Sequence, residues 1–280
     1  MFTARFFRHA SSIFVLFLVI ISVLFSPPAW SKEYAPVVGQ EGKDVVWVPT
    51  ALALANKMLD LAKVTAQDYV IDLGSGDGRI VITAAKRGAR AVGIEYNPDL
   101  VVLSKSNAAR EGVADRAQFI KADLFETDFS QATVITMFLL PHINLKLRPK
   151  LLNLKPGTRV VSNSFTMEEW QADQTVAVSP QEGCDNDYCE AYLWIVPAKV
   201  EGTWKLPQGE LALKQSFQMI SGTLRTGPTN STLRNGRLNG NQINFTVGAD
   251  QYTGTISGNT MQGTSNSGGI ITNWSATRQK

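Results

Sequence analysis

The sequence predicts an α/β protein, a doubly wound and mostly parallel sheet, followed by a small all-β domain. Three observations predict it. Residues 69–97 read as strand, tight glycine loop, helix and strand, the repeating unit of a parallel sheet. Apolar runs then alternate with helix-spaced segments as far as residue 197. Beyond 197–201 the composition turns to Gly, Asn, Thr and Ser, with short strand-like pieces between turn dipeptides. The chain has 280 residues, 44% of them hydrophobic, enough for a core in each part.

Residues 1–31 carry the order of a secretory signal. Arg5 and Arg8 stand without an acid, Ile13 to Phe25 is apolar apart from Ser22, and Ala29-Trp30-Ser31 offers a cleavage site before Lys32. The apolar run of about 13 residues is short for a membrane span, which takes roughly 17 or more. Two readings stay open, a cleaved signal, which is favoured, and an uncleaved anchor acting through residues 10–26; a mitochondrial presequence is a remoter third. Either bacterial reading places the remainder outside the cytoplasm, in the periplasm or held at the inner membrane. In such a compartment Cys184 and Cys189, with four residues between them, are expected to form a disulfide across a small loop. A metal site is not expected, because the only histidines are His9 and His142. The formal charge is +3 and falls near neutral without the leader, so the sequence does not suggest nucleic-acid binding.

Residues 32–43 read as a linker, and 44–197 as the α/β domain. DVVWVPT at 44–50 leads into a helix whose apolar positions run from Leu52 to Ala62. Tyr69 to Ile71 begins the first strand, Arg79 to Arg87 the next helix, and Ala91 to Glu95 the second strand. Asn97-Pro98 starts a helix reaching about Glu111. Ala117 to Ala122 is a third strand, and Thr133 to Leu140 a fully apolar central one. Asn144 to Leu154 is a helix whose Lys146, Arg148 and Lys150 read as a solvated face. Thr158 to Phe165 is the fifth strand, after which Phe165 and Trp170 stand either as a substrate-channel wall or as core. Thr175–Ser179 and Ala191–Val196 form an antiparallel edge hairpin, stapled at its tip by the cysteines. Residues 202–280 read as a meander forming a small sheet or open barrel. Asn235-Gly236, Asn239-Gly240 and Gly258-Asn259 are its turns, and Trp204 and Trp274 close its core.

The glycine loop carries the chemistry. Gly74, Ser75, Gly76, Asp77 and Gly78 follow a strand ending in Asp72, and glycines there let backbone approach a ligand. Glu95, at the tip of the second strand, is placed to accept both hydroxyls of a ribose. A dinucleotide and S-adenosylmethionine both suit this geometry. The dinucleotide fingerprint spaces its glycines G-x-G-x-x-G, but here Arg79 stands where the third should be. Asp72 and Asp77 would repel a pyrophosphate and attract a sulfonium and an amino group. Charge therefore favours the methyl donor.

DLGSGDG at 72–78 with GIEYN at 93–97 resembles the class I S-adenosylmethionine-dependent methyltransferases, a Rossmann-like fold. With WVPT at 47–50 and FLLP at 138–141, it resembles more narrowly the ATP synthase c-subunit lysine methyltransferases and their bacterial relatives. The resemblance covers about residues 44–197. It implies Asp72, Gly74, Ser75, Gly76, Asp77 and Gly78 around the methionine portion, Glu95 at the ribose, Asp123 and the Leu124 N–H at the adenine, and Asn97 as a further cofactor-binding residue. It implies a protein lysine as acceptor. Methyl delivery falls at the carboxyl end of the central strand, near Pro141 and His142. The branch tends to carry an acid where His142 stands, so His142 is a departure, and as a catalytic base it competes with a capping or surface role.

Two further functions stay open. One is methylation of a small molecule or lipid on the same scaffold. The other is an exported binding protein whose nucleotide fold does no chemistry, with the C-terminal module engaging a partner. Asp72, Glu95 and Asp123, all intact, favour the enzyme.

Overall fold

The computed structural model describes Met1 and residues 34–279; the leader, with its proposed cleavage after Ser31 and its apolar stretch, lies outside the described residues. Residues 36–280 form one unit. Among the described residues no helix is long and apolar enough to cross a membrane.

Seven strands make the first sheet: β1 (Tyr69–Leu73), β2 (Arg90–Glu95), β3 (Ala117–Lys121), β4 (Val134–Met137), β5 (Arg159–Asn163), β6 (Gln174–Ala177) and β7 (Glu190–Ile195). Their order is β3-β2-β1-β4-β5-β7-β6. Strands β1 to β5 are mutually parallel, and β7 runs antiparallel between β5 and β6. The switch in strand order falls between β1 and β4, where a doubly wound sheet opens its ligand crevice. Among the described residues the α-helices are α1 (Leu52–Leu61), α2 (Arg79–Lys86), α3 (Pro98–Arg110) and α4 (Pro141–Leu151). Two apolar clusters sandwich the sheet. One holds Leu54, Met58, Ile80, Val81 and Phe119, the other Ile71, Ile135, Met137, Leu147 and Trp194.

Among the boundaries that differ from expectation, three have a clear local reason. β4 stops at Met137, because its partner β1 ends at Leu73 opposite it and then enters the glycine loop. Residues 138–140 are therefore released from the sheet. α4 starts at Pro141 rather than Asn144, since a proline at the first helical position has its φ preset and lacks only an N–H with no helical partner. β5 stops at Asn163, because Ser164 takes a left-handed φ of 57°. The basic residues of α4 are also less solvated than expected. Arg148 Nη1 donates to Met167 O at 2.8 Å, Lys150 Nζ donates to Thr127 O at 2.5 Å, and Lys146 lies over the Phe125 ring at 3.7 Å.

The C-terminal strands β8 (Gly202–Leu206), β9 (Gly209–Ser216), β10 (Met219–Thr226), β11 (Thr229–Asn239), β12 (Gln242–Val247), β13 (Asp250–Ser257), β14 (Thr260–Ser267) and β15 (Ile270–Arg278) form a closed barrel, not an open one. Closure is made by β15 on β8, with Arg278 opposite Trp204. Burial alternates along β9 and β12, as a packed barrel requires. Phe245 stacks on Tyr252 at 4.8 Å and both meet the Trp274 ring edge-on, so aromatic rings fill the interior. Trp204 and Trp274 are both buried in this core, as expected. Asn235-Gly236 is not a turn. It is a bulge inside β11, where Asn235 has φ 52° and the pairing register shifts.

The barrel is bound to the sheet by specific contacts. Phe217 stacks on Trp170 at 6.0 Å and 11°. Arg237 Nη2 donates to Asp173 Oδ1 at 2.6 Å, and Gln218 Nε2 to Gln171 O at 2.7 Å. Trp170 is therefore core, not channel wall.

Candidate functional site

Strand ends build one hollow. β1 delivers Asp72 and the glycine loop, β2 delivers Glu95, the turn after β3 delivers Asp123 and Leu124, and the segment after β4 delivers Phe138 and Leu139. All line the same hollow, together with Gly74, Ser75, Gly76, Asp77 and Asn97. The expected binding set thus converges, with one exception. Gly78 stands behind the loop instead. It has φ 84°, sets the start of α2, and a Cβ there would lie 2.6 Å from the Phe119 ring. Its role is to pack loop and helix closely, the task the third glycine performs in the dinucleotide pattern.

The loop is pinned to β2. Gly74 and Ser75 N–H groups donate to Ile94 O at 2.9 and 3.0 Å, and Gly76 N–H donates to Glu95 Oε2 at 2.9 Å. Asn97 N–H donates to Glu95 Oε1 at 2.9 Å. These bonds fix the Glu95 carboxylate in one orientation, with further lone pairs to accept hydroxyl donors. The Asn97 side chain accepts from Asp99 N–H at 2.9 Å and caps α3.

The acids differ in state. Asp72 is buried; burial pushes its carboxyl up to about 7, the neighbouring Glu95 and Asp77 push the same way, and one hydrogen bond from Thr136 Oγ1 at 2.6 Å opposes them. Asp77 is matched within the chain, accepting from Arg79 Nη2 at 2.6 Å, while Arg79 Nη1 donates to Thr50 O at 2.7 Å. Arg79 therefore removes from the hollow much of the negative charge that sequence attributes to Asp77. Asp123 accepts from Phe125 N–H at 2.8 Å through Oδ1, capping the following turn, and from Lys43 through Oδ2. The Lys43 hydrogen bond foremost, then the Phe125 N–H, hold the Asp123 carboxyl below the usual range.

Lys43 belongs to a stretch that sequence reads as linker and apolar lead-in. Residues 40–50 line the hollow, and the Trp47 indole nitrogen lies 2.7 Å from where a Gly76 Cβ would be. The sequence signal there is the WVPT motif at 47–50, since the stretch carries no periodic pattern. Pro141 and His142 do not line this hollow. They are exposed first-turn residues of α4, and the neighbouring residues that face the site are Leu139 and Ile143. The cysteines are joined, with Cα atoms 5.7 Å apart.

Strand order, glycine loop and the acids at successive strand ends define a class I methyltransferase architecture. The ANTKMT methyltransferase domain matches residues 72–174. A protein-lysine N-methyltransferase of Saccharolobus islandicus is 44% identical over 155 residues, which is 54% of this chain and 94% of that protein. The ATP synthase c-subunit lysine N-methyltransferases of rat and human are each 43% identical over 117 residues, 41% of this chain. The chain spans about half the length of those two, 52% and 48%. A crystal structure of an RNA methyltransferase from Salinibacter ruber in complex with S-adenosyl-L-homocysteine is 48% identical, with a TM-score of 0.50, covering 55% of this chain and 96% of that one. The chain belongs to the protein-lysine N-methyltransferase family.

Proposed function

We propose that this protein transfers a methyl group from S-adenosylmethionine to a lysine side chain of another protein. One observation carries the reading: Asp72, Glu95 and Asp123 face a shared hollow floored by the glycine loop. The residues fit the donor. Asp72 is buried without a cationic partner among the described residues, and a cationic ligand relieves that condition. The Trp47 indole leaves no space for a side chain at Gly76, its nitrogen lying 2.7 Å from where a Cβ would be. Asp72 and the loop hold the methionine portion, Glu95 the ribose, and Asp123 with the Leu124 N–H the adenine, Lys43 giving up Asp123 in exchange.

When bound, S-adenosylmethionine supplies a methyl group already activated on a sulfonium. The chain's own contribution is alignment, which is worth a large part of the barrier in a transfer between two substrates. Phe138 and Leu139, freed from the sheet at the end of β4, place an apolar surface where the acceptor amine must approach. An apolar surface favours the neutral, nucleophilic amine over its ammonium.

Export is proposed with it, either by cleavage after Ser31 or by anchoring through residues 10–26. The joined cysteines support an oxidising compartment. Intact-mass analysis and fractionation of the native protein check this; a full-length protein in the cytoplasm would refute it. The enzymatic reading is tested by calorimetric titration with S-adenosylmethionine and by transfer of labelled methyl to protein. Glu95→Ala is expected to weaken donor binding by about tenfold or more, the worth of a charge-assisted hydrogen bond. Unchanged affinity would remove Glu95 from the ribose site, and labelled RNA or lipid without labelled protein would reassign the acceptor.

A further inference from the structure

Beside the donor hollow lies a second constructed surface. Three half-buried rings meet there: Phe138 stacks on Phe165 at 6.0 Å and 23°, Tyr188 meets Phe138 edge-on at 5.2 Å, and Tyr188 lies 6.1 Å from Phe165. Phe138 also lines the donor hollow, so the rings adjoin the place of methyl delivery.

Each ring is held by a separate device. Phe165 is thrown out of β5 by the left-handed Ser164, and its N–H closes a tight turn onto Asn163 O at 2.7 Å. A non-glycine residue in that conformation is strained and persists where surrounding structure enforces it, often at functional sites. The enforcement comes from Asn144, fully buried on α4, whose Nδ2 donates to Phe165 O at 3.2 Å and Thr166 O at 3.4 Å. Tyr188 sits in the loop closed by Cys184 and Cys189, its N–H bonded to Asn186 Oδ1 at 2.8 Å. Asp185, Asp187 and Glu190, all exposed, flank it.

We infer that this ring cluster is the acceptor wall, and that the disulfide loop, through Tyr188 and its flanking acids, is the specificity element selecting a cationic side chain on a basic protein segment. The inference rests on the methyltransferase reading above. Faces of aromatic rings attract ammonium and methylated ammonium groups, and they also pack against a lysine's methylene stem. Exposed acids around the entrance draw basic segments in and repel phosphate backbones. The surface is thus complementary to lysine-rich protein and opposed to nucleic acid.

The test uses the full protein saturated with S-adenosylhomocysteine, titrated with octalysine, octaglutamate and an eight-nucleotide RNA at low ionic strength. Octalysine is expected to bind, and the other two to bind at least tenfold more weakly. Tyr188→Ala and the double variant Cys184→Ser/Cys189→Ser are expected to weaken octalysine about fivefold, the worth of one cation–π contact. Tyr188→Phe is expected to retain it, because the ring and not the hydroxyl does the binding. S-adenosylhomocysteine affinity should remain constant throughout. Equal octalysine affinity in all variants overturns the inference, as does an absence of octalysine binding or a preference for RNA. Failure of the unaltered protein to bind S-adenosylhomocysteine strikes instead at the methyltransferase reading.

Discussion

Asp72 is the residue whose state most affects the site. Its folded carboxyl titrates near 7 because burial disfavours the charge, whereas the unfolded chain releases that proton near the ordinary value of 3.8. A raised carboxyl stabilises the fold fully below the unfolded value, and that contribution is lost as pH rises from about 4 to about 7. Donor binding has the opposite slope, since a cationic ligand prefers the ionised carboxylate. Affinity for S-adenosylmethionine is expected to rise between pH 5 and 7, with a proton released on binding below 7; Asp72→Asn should bind weakly and flatten the slope. Calorimetry in buffers of different ionisation enthalpy reads both. Gly78 supplies a second prediction at this scale. Gly78→Ala must adopt a left-handed φ and press on the Phe119 ring, and should lower stability by about 1–3 kcal/mol in urea unfolding. Much at this scale was legible in the sequence: an acid before the loop, an acid at the next strand tip and an acid after the third strand each follow from a strand-end rule. The Lys43 contact and the matching of Asp77 by Arg79 were not, because they depend on side-chain direction. For Asp77 the alternation of charges reads the same whether an arginine faces solvent or folds back two residues.

At the scale of elements, the sequence located every strand of the first sheet and the four α-helices of the described residues, with errors at their ends. At β4 the cause lies in its partner. Apolar runs such as 133–140 record burial, but a strand ends where its partner ends, and that information lies in β1. The Asn235-Gly236 pair fails for a related reason: asparagine and glycine mark a left-handed backbone, and a bulge needs that as much as a hairpin does. Between elements, Arg159 on β5 donates to Ala62 O at 2.7 Å and pairs with the buried Asp68 ahead of β1. Burial alone would raise the Asp68 carboxyl; bonds from Thr65, Thr133 and Arg159 outweigh it and hold the carboxyl low. Arg159→Ala leaves that acid short of a partner in a buried place, and is expected to cost about 1–3 kcal/mol, read as a shift in urea midpoint at constant slope.

At the scale of the whole molecule, the barrel does not hang from the sheet by a tether. Phe217, with Arg148 over its face at 5.5 Å, fills a place in the same apolar cluster as Trp170 and Trp194. Sheet and barrel should therefore unfold in one transition by fluorescence and by far-UV dichroism. Phe217→Ala is expected to cost about 2 kcal/mol and to separate the two signals. Composition changes near residue 200, between β7 and β8, but it carries no sign of the docking, which depends on Phe217 and Arg237 from one side meeting Trp170 and Asp173 from the other. The closing of β15 on β8 has a practical corollary. Arg278 reaches back to the carbonyls of Glu201 and Lys199 at 2.5 Å each, so the polypeptide leaves the cylinder where it came in. The cylinder thus has adjacent ports, and a reporter appended beyond it will emerge at the seam rather than at the far pole.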